Sequence, residues 1–591
     1  MEPPAGDAPL PSSSVIFLGT GCSTVVPDTR CLVTPSAPPC PVCSQSLSLP
    51  PDQNPNYRCN NSLLIDYCND DGAHKYIIID VGKTFREQVL RWFVHRKIPW
   101  INSIILTHDH ADAILGLDDI WIIQPSDYKS DFGKFPVYLT QFTMGRIIEG
   151  DTDKPFVSSG LEFVPLPVRA IVASYLGGKQ KLHIYPTSRD FYLKLSMLMP
   201  SFLAAISKSG AGQLDLLILE ANSLHGEALD AVKRISPKRA LFTGMTHELE
   251  HYKENQKLAE WSSREGYLYN YLTMASACSS TYNLPPAGDN ASPPSSSVIF
   301  LGTGCSAALP DTRCLIRPSA TPCPVCSLGI SLPPEQNPNY RCNTSLLIDY
   351  CDDDGTHKYI IIDVGKTFRE QVLRWFVHHK IPWVDSIILT HEHADAVLGL
   401  DDVWMVQPKG CSNDVCQVPI FLTQFSMDSV ASRFPYLVKH KVDEGDEISQ
   451  VAHLDWRIIE DDIDKPFVSS GLEFVPLPVM HGVGYVCLGF LFGRKARVAY
   501  LSDVSRFLPE TEYAISKSGG GQLDLLILEA NTLHGETLDA VKRISPKRAL
   551  LIGMRHEFEH YTENKNLAKW SSREGIPVEL AHDGLRVFID L

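Results

Sequence analysis

Apolar residues along this chain fall into two rhythms. Short unbroken runs such as KYIIIDV, SIILT, LDLLILEAN and KRALLIG read as buried strands. Between them lie stretches with helical spacing: KTFREQVLRWFVH puts Phe85, Val89 and Phe93 on one face, and DAVKRI reads as a further helix. Strands and helices alternating in this way predict an α/β layered domain. The pattern then runs a second time. SSSVIFLGTG stands at Ser12–Gly21 and again at Ser295–Gly304, CPVC at Cys40–Cys43 and Cys323–Cys326, and IIIDVGKTFREQVLRWFVH at Ile77–His95 and Ile360–His378. An offset of 283 residues is far too long for a solenoid repeat, so the chain reads as two tandem copies of one domain. The expected division is a disordered tail over 1–11, a first domain over 12–282, a Pro/Ser/Gly-rich linker over 283–294 and a second domain over 295–591.

Composition narrows the class. The 591 residues carry 53 Lys+Arg against 69 Asp+Glu, a formal charge of −16, which disfavours a broad electrostatic grip on nucleic acid. Hydrophobic content of 44% is that of a globular protein, and no apolar run approaches the roughly 20 residues of a membrane span. The start MEPPAGDAPLPSSS lacks a signal-peptide pattern, so a cytoplasmic setting is expected, with the 16 cysteines as reduced thiols or metal ligands.

The chemistry concentrates in the second copy. HEHADA follows the strand SIILT, so a tight loop can aim His391, His393 and Asp395 at one point. His481 in PLPVMHG, Asp503 in AYLSDVS, His556 in MRHEFEH and His582 in AHDG follow in order, and Asp363 closes IIIDVG as a carboxylate suited to orient a ligand. Imidazole with carboxylate is the donor set shared by zinc, manganese and iron.

On these motifs, with LGTG ahead of closely spaced cysteines, the second copy resembles the metallo-β-lactamase superfamily. Within it the pattern is most similar to PhnP-type cyclic-phosphate phosphodiesterases, relatives of the tRNA-processing nuclease RNase Z. The resemblance implies two tandem αββα sandwiches and a metal-dependent hydrolase, active in the second copy on a small phosphodiester-type substrate. It implies one metal on His391, His393, His481 and Asp503, and a second on Asp395, Asp503 and His556, with Zn2+ expected and Mn2+ or Fe2+ as alternatives. The family pattern HxHxDH ends here in Ala396, which leaves the second site one imidazole short, with one or two ions open and His582 as a substitute ligand. His534 in ANTLHGE matches a family histidine near the scissile bond and is the expected general acid. A separate structural zinc is implied on Cys314, Cys323, Cys326 and His560, against free thiols or a redox CxxC. Thioester or other ester hydrolysis, an RNase Z-like nuclease, and a non-catalytic scaffold remain the rival functions, with a homodimer or pairing of the two copies as the expected assembly.

The first copy keeps Asp80, His108, His110, Asp112, His225 and His247, together with Cys31, Cys40, Cys43 and His251. After Val168 the partners of His481 and Asp503 are gone, so this copy is expected to be inert. The loss has a pattern. Shifting the frame by one base from Gly177 spells, with synonymous codons, a match to Arg494–Ala514 at 20 of 21 positions. The same shift from Gly266 matches Ile576–Leu591 at 14 of 16 and then meets a stop. Two tandem genes read as one chain explain this; frameshift decay of a fused gene and an error in the sequence record are the alternatives. Each predicts that Arg169–Phe202 and Tyr267–Asn283 carry residues unselected for the fold.

Overall fold

The computed structural model describes residues 13–69, 71–124, 136–140, 146–148, 156–159, 161–167, 171–177, 180–185, 216–220, 227–237, 239–265, 268–269, 296–317, 322–408, 416–439, 451–530 and 536–591. Chain contacts divide it into two units, Met1–Asp28 with Ser36–Asn283, and Thr29–Pro35 with Leu284–Leu591. The expected linker 283–294 and the tail 1–11 lie outside the described residues.

In the second unit two mixed sheets face each other. One has the strand order Leu454–Ile458, Val418–Leu422, Ser386–Ile388, His357–Ile362, Ser345–Cys351, Ser297–Gly302, Arg586–Phe588. The other runs Phe467–Ser469, Leu472–Met480, Val486–Phe492, Val498–Leu501, Leu525–Glu529, Ala549–Ile552, Val578–Leu580, with Arg506–Phe507 paired to Leu472–Met480. Alternation along each strand builds the layers. Val298, Phe300, Leu346, Ile348, Ile360 and Ile362 of the first sheet share one core with Phe474, Leu488, Phe490, Tyr500, Ile527 and Leu550 of the second. Odd-numbered neighbours such as Ala499, Leu501, Leu551 and even-numbered Leu526 and Leu528 turn the other way and pack with Ile515, Ala540, Val541, Ile544 and Leu567 of the helices Pro509–Ile515, Glu536–Ile544 and His560–Glu574. This is the α/β layering expected from the alternation of strands and helices, in the sandwich form that the resemblance implies. The predicted helix after IIIDVG runs over residues 368–379 with a π-turn at Val372–Phe376, and it buries Phe368, Val372 and Phe376 as the spacing requires.

The first unit has a six-stranded sheet over Ser14–Gly19, Ser62–Cys68, His74–Ile79, Ser103–Ile105, Val137–Thr140 and Arg146–Ile148. Its second sheet does contain strands at Ile171–Gly177 and Gln180–Tyr185, so the backbone there is strand despite the altered sequence; the packing of their side chains lies outside the described residues.

Candidate metal centre

Loops leaving the strand ends of both sheets gather the acidic and imidazole side chains of the second unit. Ser386–Ile388 pairs in parallel with His357–Ile362 and Val418–Leu422, and the chain beyond it carries Thr390, His391, Glu392 and His393. His481 follows Leu472–Met480, and Asp503 follows Val498–Leu501. The ligand atoms of His391, His393 and His481 lie within 4.8 Å of one another, as do those of His391, Asp395 and Asp503. Ring centroids stand 4.7 Å apart for His391–His393, 5.6 Å for His391–His481 and 5.3 Å for His393–His481.

The orientation of His391 is built from behind. Asp363, at φ 65° beyond its strand, accepts from Thr390 N and Thr390 Oγ1 at 2.8 Å each. With its hydroxyl proton committed to Asp363, Thr390 Oγ1 accepts from His391 Nδ1 at 2.8 Å, which leaves Nε2 as the free donor atom. That Nε2 is buried and has no hydrogen-bond partner; Asp395 Oδ1 stands 3.8 Å away, beyond bonding distance. A buried imidazole nitrogen with an empty lone pair direction, facing carboxylates, suits a divalent cation. Burial pushes the Asp363 carboxyl up to about 7, against the opposing pull of His391 and Thr390. Burial works against a charged His391, yet Asp503, Asp395 and Asp363 together raise its pKa above the ordinary value. Such a pocket of excess negative charge is neutralised by a cation.

The remaining predicted ligands lie elsewhere. His556 does not join Asp395 and Asp503. Its Nδ1 stands 3.1 Å from Cys314 Sγ and 3.8 Å from both Cys323 Sγ and Cys326 Sγ. The fourth member of the cysteine group is therefore His556 and not His560. The reason is local. Gly553 at φ 70° turns the chain out of its strand, and Met554 is bound to the LGTG segment by Met554 N to Thr303 O and Cys305 N to Met554 O. This carries His556 over the cysteines, while His560 is held inward as the first residue of a helix capped by Glu559. Asn564 Nδ2 donates to His560 Nε2 at 3.1 Å. His582 does not substitute at the second metal position: its ring lies 5.9 Å from that of His560, and its Nδ1 donates to Asp583 O. Ala396 is fully buried, with its carbonyl accepting from Val364 N, so the missing imidazole has been replaced by packing. His534 lies outside the described residues.

Residues 358–554 match the family model described as Beta-lactamase superfamily domain. A curated relative, an octanoyltransferase of Porphyromonas gingivalis (strain ATCC BAA-308 / W83), is 30% identical over 210 residues, covering 35% of each chain, so this chain spans about a third of that relative's length. Similar solved structures include a diphosphatase of the PhnP family at 25% identity and TM-score 0.38, covering 50% of this chain and 98% of that one. Zn2+-bound PqqB from Methylobacterium extorquens matches at 15% identity and TM-score 0.36, covering 50% and 100%. Unliganded yeast PDE1 matches at 11% and 0.32, covering 50% and 99%.

Three side chains around the site were not singled out from sequence. Glu392, between the two histidines, accepts from Tyr485 OH at 2.6 Å, and Tyr485 lies flat on His393. Glu529 accepts from Val504 N at 2.7 Å and braces the loop after Asp503, and a side chain at Gly553 would stand 2.6 Å from its Cγ. Burial beside Asp503 raises the Glu529 carboxyl well above the ordinary range. Each occupies a spacer position in the motifs, and only the fold turns it toward the site.

In the first unit His108, His110 and Asp112 cluster in the same way, with Asp80 accepting from Thr107 N and Thr107 Oγ1. His247 Nδ1 lies 3.6 Å from both Cys40 Sγ and Cys43 Sγ, so here too the histidine beside the cysteines is not the predicted His251, whose Nε2 accepts from Asn255. Cys31 joins them as expected: the ligand atoms of Cys31, Cys40, Cys43 and His247 all lie within 4.8 Å of one another. His225 lies outside the described residues.

Proposed function

We propose that the second unit is a metal-dependent hydrolase acting on a small phosphodiester-type substrate, and that the first unit is catalytically inert. The observation that carries the reading is the buried, partnerless Nε2 of His391 inside a cluster of two further histidines and two aspartates. His391, His393, His481 and Asp503 would hold one divalent ion, and Asp395 would share a second, with Zn2+ foremost and Mn2+ or Fe2+ as alternatives. A bound ion of this kind lowers the pKa of its water toward neutrality and polarises a phosphoryl or carbonyl oxygen. The protein's own share is orientation. Asp363 and Thr390 hold the His391 ring with Nε2 forward, and Glu529 anchors the backbone beside Asp503 through Val504 N. The cysteine group with His556 would hold a structural zinc, its four donors tying the LGTG-side helices to the turn after Gly553.

The phosphodiester preference rests on the PhnP-like motif order; thioester hydrolysis on the same donors is the alternative to exclude. The full chain, stripped of metal and reloaded with Zn2+, Mn2+ or Fe2+, should turn over a generic phosphodiester, and His391→Ala or His481→Ala should lower the rate at least about 100-fold. Turnover of a generic thioester alone would move the assignment to that class. Turnover unaffected by both substitutions would remove the hydrolase reading.

A further inference from the structure

His393 differs from His391 in how it is held. Among the described residues no Thr–Asp pair stands behind it; instead the ring of Tyr485 lies parallel to it, centroids 5.1 Å apart at an interplanar angle of 10°. Tyr485 is in turn fixed at its far end, where its hydroxyl donates to Glu392 Oε2 at 2.6 Å. Glu392 is buried and has further ties. Ser426 Oγ stands 3.5 Å from the same carboxylate oxygen, and Arg433 Nη1 donates to the Glu392 carbonyl at 2.8 Å. Ser426 and Arg433 belong to the helix Gln424–Arg433. Tyr485 also closes the turn that presents His481, since His481 N donates to Tyr485 O at 2.9 Å.

We infer that Tyr485, held by Glu392, is a positioning residue for the His393–His481 face of the metal centre. One side chain sets the plane of one imidazole by stacking, while its backbone sets the height of another. A free His393, which is only half-buried, would rotate about two torsions; the stack and the hydroxyl anchor hold it in the plane that converges with His391 and His481. The inference rests on the metal-centre reading above. It also separates the two units, because the first has Asp109 where the second has Glu392 and has no sequence counterpart of the HGVGY turn.

The experiment is a Co2+ titration of the metal-stripped full chain and its variants, following the visible bands of a histidine–carboxylate site, which are distinct from the intense near-ultraviolet bands of thiolate sites. Tyr485→Phe keeps the stack and loses the anchor, Tyr485→Leu loses both, and Glu392→Gln keeps the shape of the anchor without its charge. Affinity at the histidine site is expected to fall about 10- to 100-fold in Tyr485→Leu, with altered band positions, and by less in Tyr485→Phe and Glu392→Gln. Circular dichroism and unchanged thiolate bands identify folded variants. Wild-type affinity and band positions in Tyr485→Leu and Glu392→Gln would overturn the positioning role. Absence of the histidine-site bands in the wild type, or their survival in His391→Ala, would overturn the metal-centre reading itself and the inference with it.

Discussion

At the scale of single residues, the centre is organised by groups that never reach its interior. Asp363 acts only through Thr390 and the His391 ring, yet it is fully buried and held at a left-handed φ of 65°. Asp363→Asn replaces a two-oxygen acceptor by an amide that must donate on one side, so the hydroxyl chain to His391 Nδ1 is broken. A loss of about 10- to 100-fold in metal affinity is expected with little change in fold, measured by competition against a chelator. His560 gives a stability prediction independent of metal. Burial, reinforced by Arg341, lowers its pKa to about 4. The unfolded chain takes up this proton near pH 6.5 and the folded chain does not until about pH 4, so stability is intact above pH 6.5 and falls as pH drops through that window. The fall amounts to at most about 3 kcal/mol. Denaturant midpoints between pH 7 and pH 4 should flatten in His560→Gln, and an unchanged slope would remove His560 as the source. His560 also marks a limit of sequence reading. It and His556 stand four residues apart in MRHEFEH, and nothing in that spacing distinguishes the first residue of the helix from one in the turn three residues ahead of its cap.

At the scale of elements, the legible features were those with a repeating period. The strands KYIIIDV and SIILT and the helix after IIIDVG stand where alternation and helical spacing placed them. The π-turn at Val372–Phe376 was not legible, because one extra residue in a turn leaves the apolar positions four apart and the amphipathic pattern intact. The loops at the strand ends have no period at all, so their ligand roles came from residue type and order. Gly584 is a case where an element's closure hangs on a single atom. It sits at φ 83°, and a Cβ there would lie 2.3 Å from the Trp375 ring. The turn between Val578–Leu580 and Arg586–Phe588 can therefore form only against a bare backbone. Gly584→Ala should cost about 2–3 kcal/mol through overpacking and left-handed strain, read as a lowered melting temperature. Wild-type stability would show that the Trp375 helix can shift instead.

At the scale of the whole molecule, the two units share their elements but not their chemistry. Both hold an HxHxD cluster and cysteines beside a histidine, and only the second adds His481 and Asp503. His110→Ala in the full chain should therefore leave turnover unchanged, whereas His393→Ala should abolish it; a comparable loss from both would restore the first unit as a catalyst. Sequencing the mature transcript across codons 140–300 bears on the origin of the difference. Two messages with the hidden His-Asp-Gly and the stop restored are expected from tandem genes, and one continuous message would mean a true fusion with an inert first half. Within the described residues no helix is long and apolar enough to cross a membrane.

The chain by itself determined the layered α/β class, the internal repeat, the main strand positions and which residues are candidate donors, because burial periodicity and residue chemistry are local properties that survive without coordinates. The tertiary structure alone decided which donors share a point. His556 went to the cysteines, His560 and His582 went inward, and Tyr485 went to His393, since each choice depends on how a turn leaves its strand and on what packs beneath it. Those are long-range distances, and no spacing along the sequence encodes them.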